Sequence, residues 1–332
     1  MAITDHPQID ARPELDEETT ISADELSTRE KFHALVARLS RQSVTKHYDA
    51  YADIPWDDPE YQIDPHDPRW ELTMGDTLGA TEWYRSQPQE VRAEIGLYRV
   101  ATAMKVGLQF ENILKRGLLE HAFTLPNGDP AFRYAYHEVI EEAHHGMMFQ
   151  EFVNRTGFEM AGLGWRERLA SPRIVLLGRR FPELFFMFVL GGEDPIDHIQ
   201  REMLRSKENM HPLLEIIMRH HVTEEARHLS FARHYLKLQT PKLDPVRRFI
   251  MSIATPIILG EMCALMIQAP STLIAKYGIP DHVVREAYGD NPEYRAEAIE
   301  SLKKVRRLSR EIGIVNPLSK LVWKQRKVWA ED

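Results

Sequence analysis

The stretches "EEAHH" (Glu141–His145) and "EEARH" (Glu224–His228) lie 83 residues apart and nearly match. Each sets a glutamate three residues before a histidine: Glu142 with His145, and Glu225 with His228. On a helix that spacing puts a carboxylate and an imidazole on one face, a turn apart. Such carboxylates can bridge two cations, and each imidazole can complete one coordination sphere. A single Glu-x-x-His is common by chance. Two copies on apolar faces point to a pair of metal ions.

The faces follow from the helical turn of about 100° per residue. On the helix opened by Asp129 and Pro130, an apolar arc runs through Phe132, Ala135, Val139, Ala143, Gly146 and Val153. Glu142 falls about 60° from Val139, inside that arc, with His145 at its edge; Glu141 falls about 160° away and His144 points elsewhere. On the helix opened by Pro212, Leu214, Met218, Val222, Leu229, Ala232 and Leu236 form the arc. Glu225 sits about 40° from Leu229, flanked by His221 and His228, while Glu224 and His220 turn away. An ionised glutamate in a core face is costly unless paired, and bound cations would pair both.

Ferritin-like di-metal bundles use this layout, with a glutamate from each of two helices and Glu-x-x-His from each of two others. Glu111, among Val106, Leu108, Phe110 and Ile113, lies 31 residues before Glu142; Glu120, near the helix end, is the alternative. Glu193, after "FFMFVLGG", lies 32 residues before Glu225; Asp194 is the alternative. The near-equal offsets suggest a duplicated helix pair. Oxygen and nitrogen ligands without thiolate suit iron or manganese better than zinc.

The elements that must position these residues read as helices throughout, with no strand or hairpin pattern. Helices are expected from Ser27 or Thr28 to about Lys46, from Ser86 through "LLEHAF", and from Asp129 to about Arg155, with Gly157 as the C-terminal cap. Another starts at Phe181 and is disturbed by "GGEDP" (Gly191–Pro195). The Pro212 helix ends near Leu238, and two more lie near Asp244–Tyr277 and Asn291–Glu311. The Pro- and Asp-rich segment 47–76 carries Tyr51, Trp56, Tyr61 and Trp70, which suggests that it packs on the body. The expected organisation is an acidic arm over 1–26, disordered or loosely docked, and one helical domain over 27–332, with its metal-binding core at about 86–238.

Composition narrows the function. The chain has 332 residues, 43% of them hydrophobic, and a formal net charge of −8. No basic stripe or nucleic-acid motif appears. Cys263 is the only cysteine, which excludes an internal disulfide and fits a reducing cytoplasm. The N-terminal twenty residues lack an apolar signal region. Phe249–Ile267 is long enough to span a bilayer, but Pro256, Gly260 and Glu261 interrupt it and a buried helix is expected.

With those residues placed, the chain resembles the p-aminobenzoate N-oxygenase family of di-iron enzymes over roughly Ser86–Leu238. The most specific match is "HVTEEARH". There the family has a third histidine, four residues before the second Glu-x-x-His glutamate, and His221 occupies that place. The resemblance implies Glu111, Glu142 and His145 as ligands on one side and Glu193, His221, Glu225 and His228 on the other. It implies two iron ions, with a manganese–iron pair as the alternative, O₂ as co-substrate, and oxidation of an aromatic amine at nitrogen. A homodimer receiving electrons from a ferredoxin or reductase is expected, without a membrane span or nucleic-acid partner. The alternatives are a di-metal oxidase or hydroxylase of an apolar or lipid substrate, and a metal-storage protein.

Overall fold

A computed structural model describes residues 27–206, 210–289 and 291–331; the expected acidic arm over 1–26 lies outside them. Among the described residues the chain is helical and contains no strand. The helices are α1 (Thr28–Thr45), α2 (Glu82–Arg85), α3 (Gln89–Ala122), α4 (Pro130–Thr156), α5 (Trp165–Arg180), α6 (Pro182–Ser206), α7 (Pro212–Gln239), α8 (Pro245–Ile267), α9 (Ser271–Tyr277), α10 (Asp281–Tyr288), α11 (Pro292–Ser301), α12 (Lys303–Glu311) and α13 (Pro317–Gln325).

Local chemistry sets most of the ends. Ser27 and Glu30 form a capping box at the start of α1. Asp129 caps α4 with Pro130 in the first turn, and Gly157 closes it in the left-handed region at φ 70°. The side chain of His211 caps α7, again with proline in the first turn.

Four helices build the centre. α3 packs along α4 and α6 along α7, and the two pairs meet through α3 with α6 and α4 with α7. Around them, α1 lies on α4 and α7, α5 on α3, and α8 on α6. Phe110, Phe185, Phe186, Val189 and Phe231 fill the interior.

Several expectations need correction. The "GGEDP" segment does not disturb its helix, because α6 runs unbroken through Gly191–Pro195. Its glycines serve packing: a Cβ on Gly192 would meet the Phe110 ring at 2.2 Å. The stretch expected near Asp244–Tyr277 is divided at Pro270 into α8 and α9, and the one near Asn291–Glu311 at Leu302 into α11 and α12. α5 was not foreseen. It contains Pro172 and buries only Val175 and Gly178, so it carries no apolar period to read. The Pro- and Asp-rich segment does pack on the body: Ala50, Ile54, Trp56 and Trp70 are buried beside α3, α4 and α7.

The apolar stretch Pro245–Tyr277 could cross a membrane by length and composition, with 44% of its window buried. Here α8 packs on α6 and α13 and turns Met251, Leu259 and Cys263 inward.

Gly178 of α5 crosses Gly117 of α3 so closely that a Cβ there would stand 2.0 Å from the Gly117 carbonyl oxygen. Neither backbone can swing aside as a side chain could. Gly178→Ala is therefore expected to lower stability by roughly 1–3 kcal/mol, as overpacking does. Chemical denaturation checks this; an unchanged midpoint would show that the two helices can separate freely.

Candidate metal centre

The four central helices bring seven ligand-type side chains together in the bundle interior. α3 supplies Glu111, α4 Glu142 and His145, α6 Glu193, and α7 His221, Glu225 and His228; all are buried. Their donor atoms form three overlapping groups: Glu111 with His145 and His221; Glu142 with Glu225 and His228; Glu193 with His221 and Glu225. Of the alternatives, Glu120 is outside these groups, and Asp194 pairs with Arg233.

Glu142 and Glu225 lie between the two motif histidines. His145 Nδ1 is 3.6 Å from a carboxylate oxygen of each. His228 Nδ1 is 3.1 Å from Glu142 and 2.9 Å from Glu225. Each carboxylate therefore faces both imidazoles, as a bridging ligand would.

The first glutamate of each motif was expected to point away, and this is corrected. Glu141 and Glu224 are buried, and each reaches the histidine of the opposite motif. His145 Nε2 lies 2.8 Å from Glu224, and His228 Nε2 lies 2.7 Å from Glu141. With Nε2–H donating outward, Nδ1 of each ring faces the interior. Arg227 braces both outer carboxylates, at 2.9 Å from Glu141 and 3.5 Å from Glu224. The outer faces of α4 and α7 are covered by α1 and by the segment after it, so a side chain placed about 160° from the core arc is still enclosed.

His220 and His144 also have partners outside the centre. His220 is buried and stacks on Tyr48 at 3.9 Å, and His144 Nδ1 accepts the Ala50 N–H at 3.2 Å. The space beside Gly146, one residue from His145, holds Leu108 and the Lys115 ammonium, which donates to the Glu142 carbonyl at 2.8 Å.

His221 is held differently. Its Nδ1 donates to Gln200 Oε1 at 2.8 Å, leaving Nε2 directed inward, 3.7 Å from Glu111 and 3.9 Å from Glu225. Nothing in the spacing of Gln200 and His221 announced this pair.

The electrostatics match a site for cations. Burial, followed by the neighbouring carboxylates, pushes Glu111 and Glu193 well above the usual carboxyl range. Burial also opposes charge on Glu142, but the adjoining His145 and His228 rings outweigh it and hold this carboxyl low. Burial disfavours charge on His145 and His228, yet their carboxylate partners raise both. His221 goes the other way, because burial and the nearby His145 favour its neutral ring.

Several of these atoms have no hydrogen-bond partner: both Glu142 oxygens, Glu111 Oε2, Glu225 Oε2 and His145 Nδ1. Buried polar atoms are rarely left so, and these converge from several helices. Carboxylate and imidazole donors of this kind fit a pair of first-row transition-metal ions. Two further buried groups border the site and escaped the sequence reading: Glu138, pushed up to about 8 by burial, and Tyr134. Glu138 stands one turn before Glu142 on the same stripe, which was the available signal.

A helical bundle with Glu and Glu-x-x-His contributions converging on its interior defines the ferritin-like di-iron class. The family model described as P-aminobenzoate N-oxygenase AurF matches residues 29–313, and the chain belongs to that family of di-iron oxygenases. The chain is also similar to uncharacterized proteins of Mycobacterium bovis and Mycobacterium tuberculosis. Each is 41% identical over 294 residues, covering 89% of this chain and 86% of the relative. No solved structure matches the chain.

Proposed function

We propose that the protein is a di-iron N-oxygenase that oxidises an aromatic amine at nitrogen. The observation that carries the metal part is the convergence of seven buried donors, several with unpartnered lone pairs. The substrate part is supported by the family. When bound, two Fe(II) ions would supply electrons and coordination positions for O₂.

The chain's own residues do the rest. Glu111, Glu142 and His145 would hold one side, and Glu193, His221, Glu225 and His228 the other. Glu141 and Glu224 keep the motif histidines in the tautomer that presents Nδ1 inward. Phe149, whose ring centre is 5.3 Å from that of His221 and 6.4 Å from that of His145, shields both from water. His221 adds a neutral nitrogen that a bundle with only the two motif histidines lacks. Electrons come from a ferredoxin or reductase, and the protein works as a cytoplasmic homodimer in this reading.

The test exposes the reduced, iron-loaded protein to O₂ with p-aminobenzoate and related amines and follows products by mass. Hydroxylamine, nitroso or nitro products are expected. O₂ consumption without any nitrogen-oxidised product would remove the amine reading. In the same assay His221→Ala is expected to keep the fold and most of the metal but lose product by about 10-fold or more, comparable to losses at orienting groups around metals. Full turnover in that variant would mean the third histidine only packs.

A further inference from the structure

Tyr48 stands between a groove at the surface and a closed crevice at the outer side of the centre. A narrow crevice lined by His145, Glu224, Met148, His220 and Tyr48 runs from the outer, Nε2 side of His145 toward the segment after α1. It has no room for a water molecule. An open groove of about 430 Å³ lies outside, between α6 and α7, lined by Arg201, Leu204, Arg219, Thr223 and again Tyr48. Tyr48 is the residue the two share.

Its ring lies flat on His220, at 3.9 Å and 9° between planes. The surroundings are firmer than the ring. Arg201 ties α6 to α7 at the groove, from Asp197 at 2.6 Å to the Val222 carbonyl at 2.8 Å. Downstream, the Ala50 N–H bonds His144 at 3.2 Å and the Trp56 ring N–H bonds the Ala50 carbonyl at 2.7 Å. Upstream, α1 ends at Thr45. A half-buried tyrosine between two anchored points can change its side-chain rotamer without unfolding either.

We propose that Tyr48 is a gate, and that small molecules reach the outer, Nε2 side of His145, at the edge of the centre, through the space its ring now fills. The groove is the outer vestibule and His220 the seat of the closed ring. The gate is also tied to the centre: the Tyr48 N–H donates at 2.9 Å to Glu224, which holds His145 Nε2 through its other oxygen at 2.8 Å. Movement of this backbone would loosen the orientation of His145. Lids of this kind exclude water from reactive sites and open on functional timescales.

The geometry of Tyr48 carries this inference; only the metal-release arm of its test rests on the di-iron reading. In the first arm, the metal-free full-length chain is treated with diethylpyrocarbonate at a pH high enough to deprotonate part of the His145 ring, and modification of His145 is followed by peptide mass. Tyr48→Ala is expected to speed that modification about 10-fold or more, while Tyr48→Phe, which keeps the ring, stays near the native rate. His121, buried among Phe186 and Tyr235 away from the groove, reports general opening and should not change. In the second arm, phenanthroline should strip metal from loaded Tyr48→Ala about 10-fold faster than from the native protein. Equal His145 rates in native protein and Tyr48→Ala would overturn the gate. So would Tyr48→Phe as fast as Tyr48→Ala, or His121 rising in parallel. A chain that binds no metal sinks the di-iron reading alone, and the His145 arm still decides the gate.

Discussion

Replacing Glu142 or Glu225 by alanine is expected to remove at least one metal ion per chain and abolish oxygenation. Both carboxylates face both motif histidines, with Glu142 3.6 Å from His145 and 3.1 Å from His228, so losing either strips donors from each half of the centre. The effect on stability should depend on metal. A site filled at a hundred times its Kd adds about 2.7 kcal/mol to the native protein, which these variants would forfeit in part. Without metal the comparison changes sign between residues. Glu142 is ionised against His145 and His228, so its loss takes a buried negative partner from two charged rings and should destabilise the metal-free fold. Glu193 is disfavoured as an ion by burial and its acidic neighbours, so Glu193→Gln should leave the metal-free fold as stable or more stable. Metal analysis beside thermal unfolding, with and without iron, checks both statements. Full metal content in both alanine variants would contradict the first, and a metal-free Glu193→Gln less stable than the native chain would contradict the second.

The second large effect is expected one layer further out. Glu224→Leu should weaken metal binding by about 10–100-fold, the usual range for a carboxylate that orients a ligand histidine. Glu141→Leu should do the same through His228. The leucine leaves Nε2–H of the histidine without an acceptor in a buried place and frees the ring to adopt the wrong tautomer or rotamer. Glu224→Gln keeps an acceptor oxygen and should lie between native protein and Glu224→Leu. Competition against a calibrated chelator gives the constants. Native affinity in Glu224→Leu would show that His145 needs no orienting partner.

The inner part of this arrangement was legible because two periods coincide. Glu142 and Glu225 fall inside apolar arcs, and a carboxylate there needs a reason. The offsets to Glu111 and Glu193 then indicated the antiparallel partners that α3 and α6 provide. The outer part was not legible, because burial of Glu141, Glu224 and His220 depends on elements remote in sequence. α1 covers them from one side and the segment through Tyr48 and Ala50 from another, and that segment has no periodic pattern. Helix angle alone says which way a side chain starts, not what lies over it. In the same way, Gly191–Pro195 reads as a breaker, yet α8 and Phe110 pack on an intact helix there. Only the tertiary contacts reveal that those glycines answer to neighbours rather than to a bend.

The central claim is that the convergent donors of α3, α4, α6 and α7 hold two iron ions. Elemental analysis of protein purified from iron-supplemented cells, or reconstituted anaerobically with Fe(II), tests it most directly. About two irons per chain are expected, falling when Glu142 or Glu225 is replaced by alanine. One zinc per chain, or no metal after iron loading, would contradict the account.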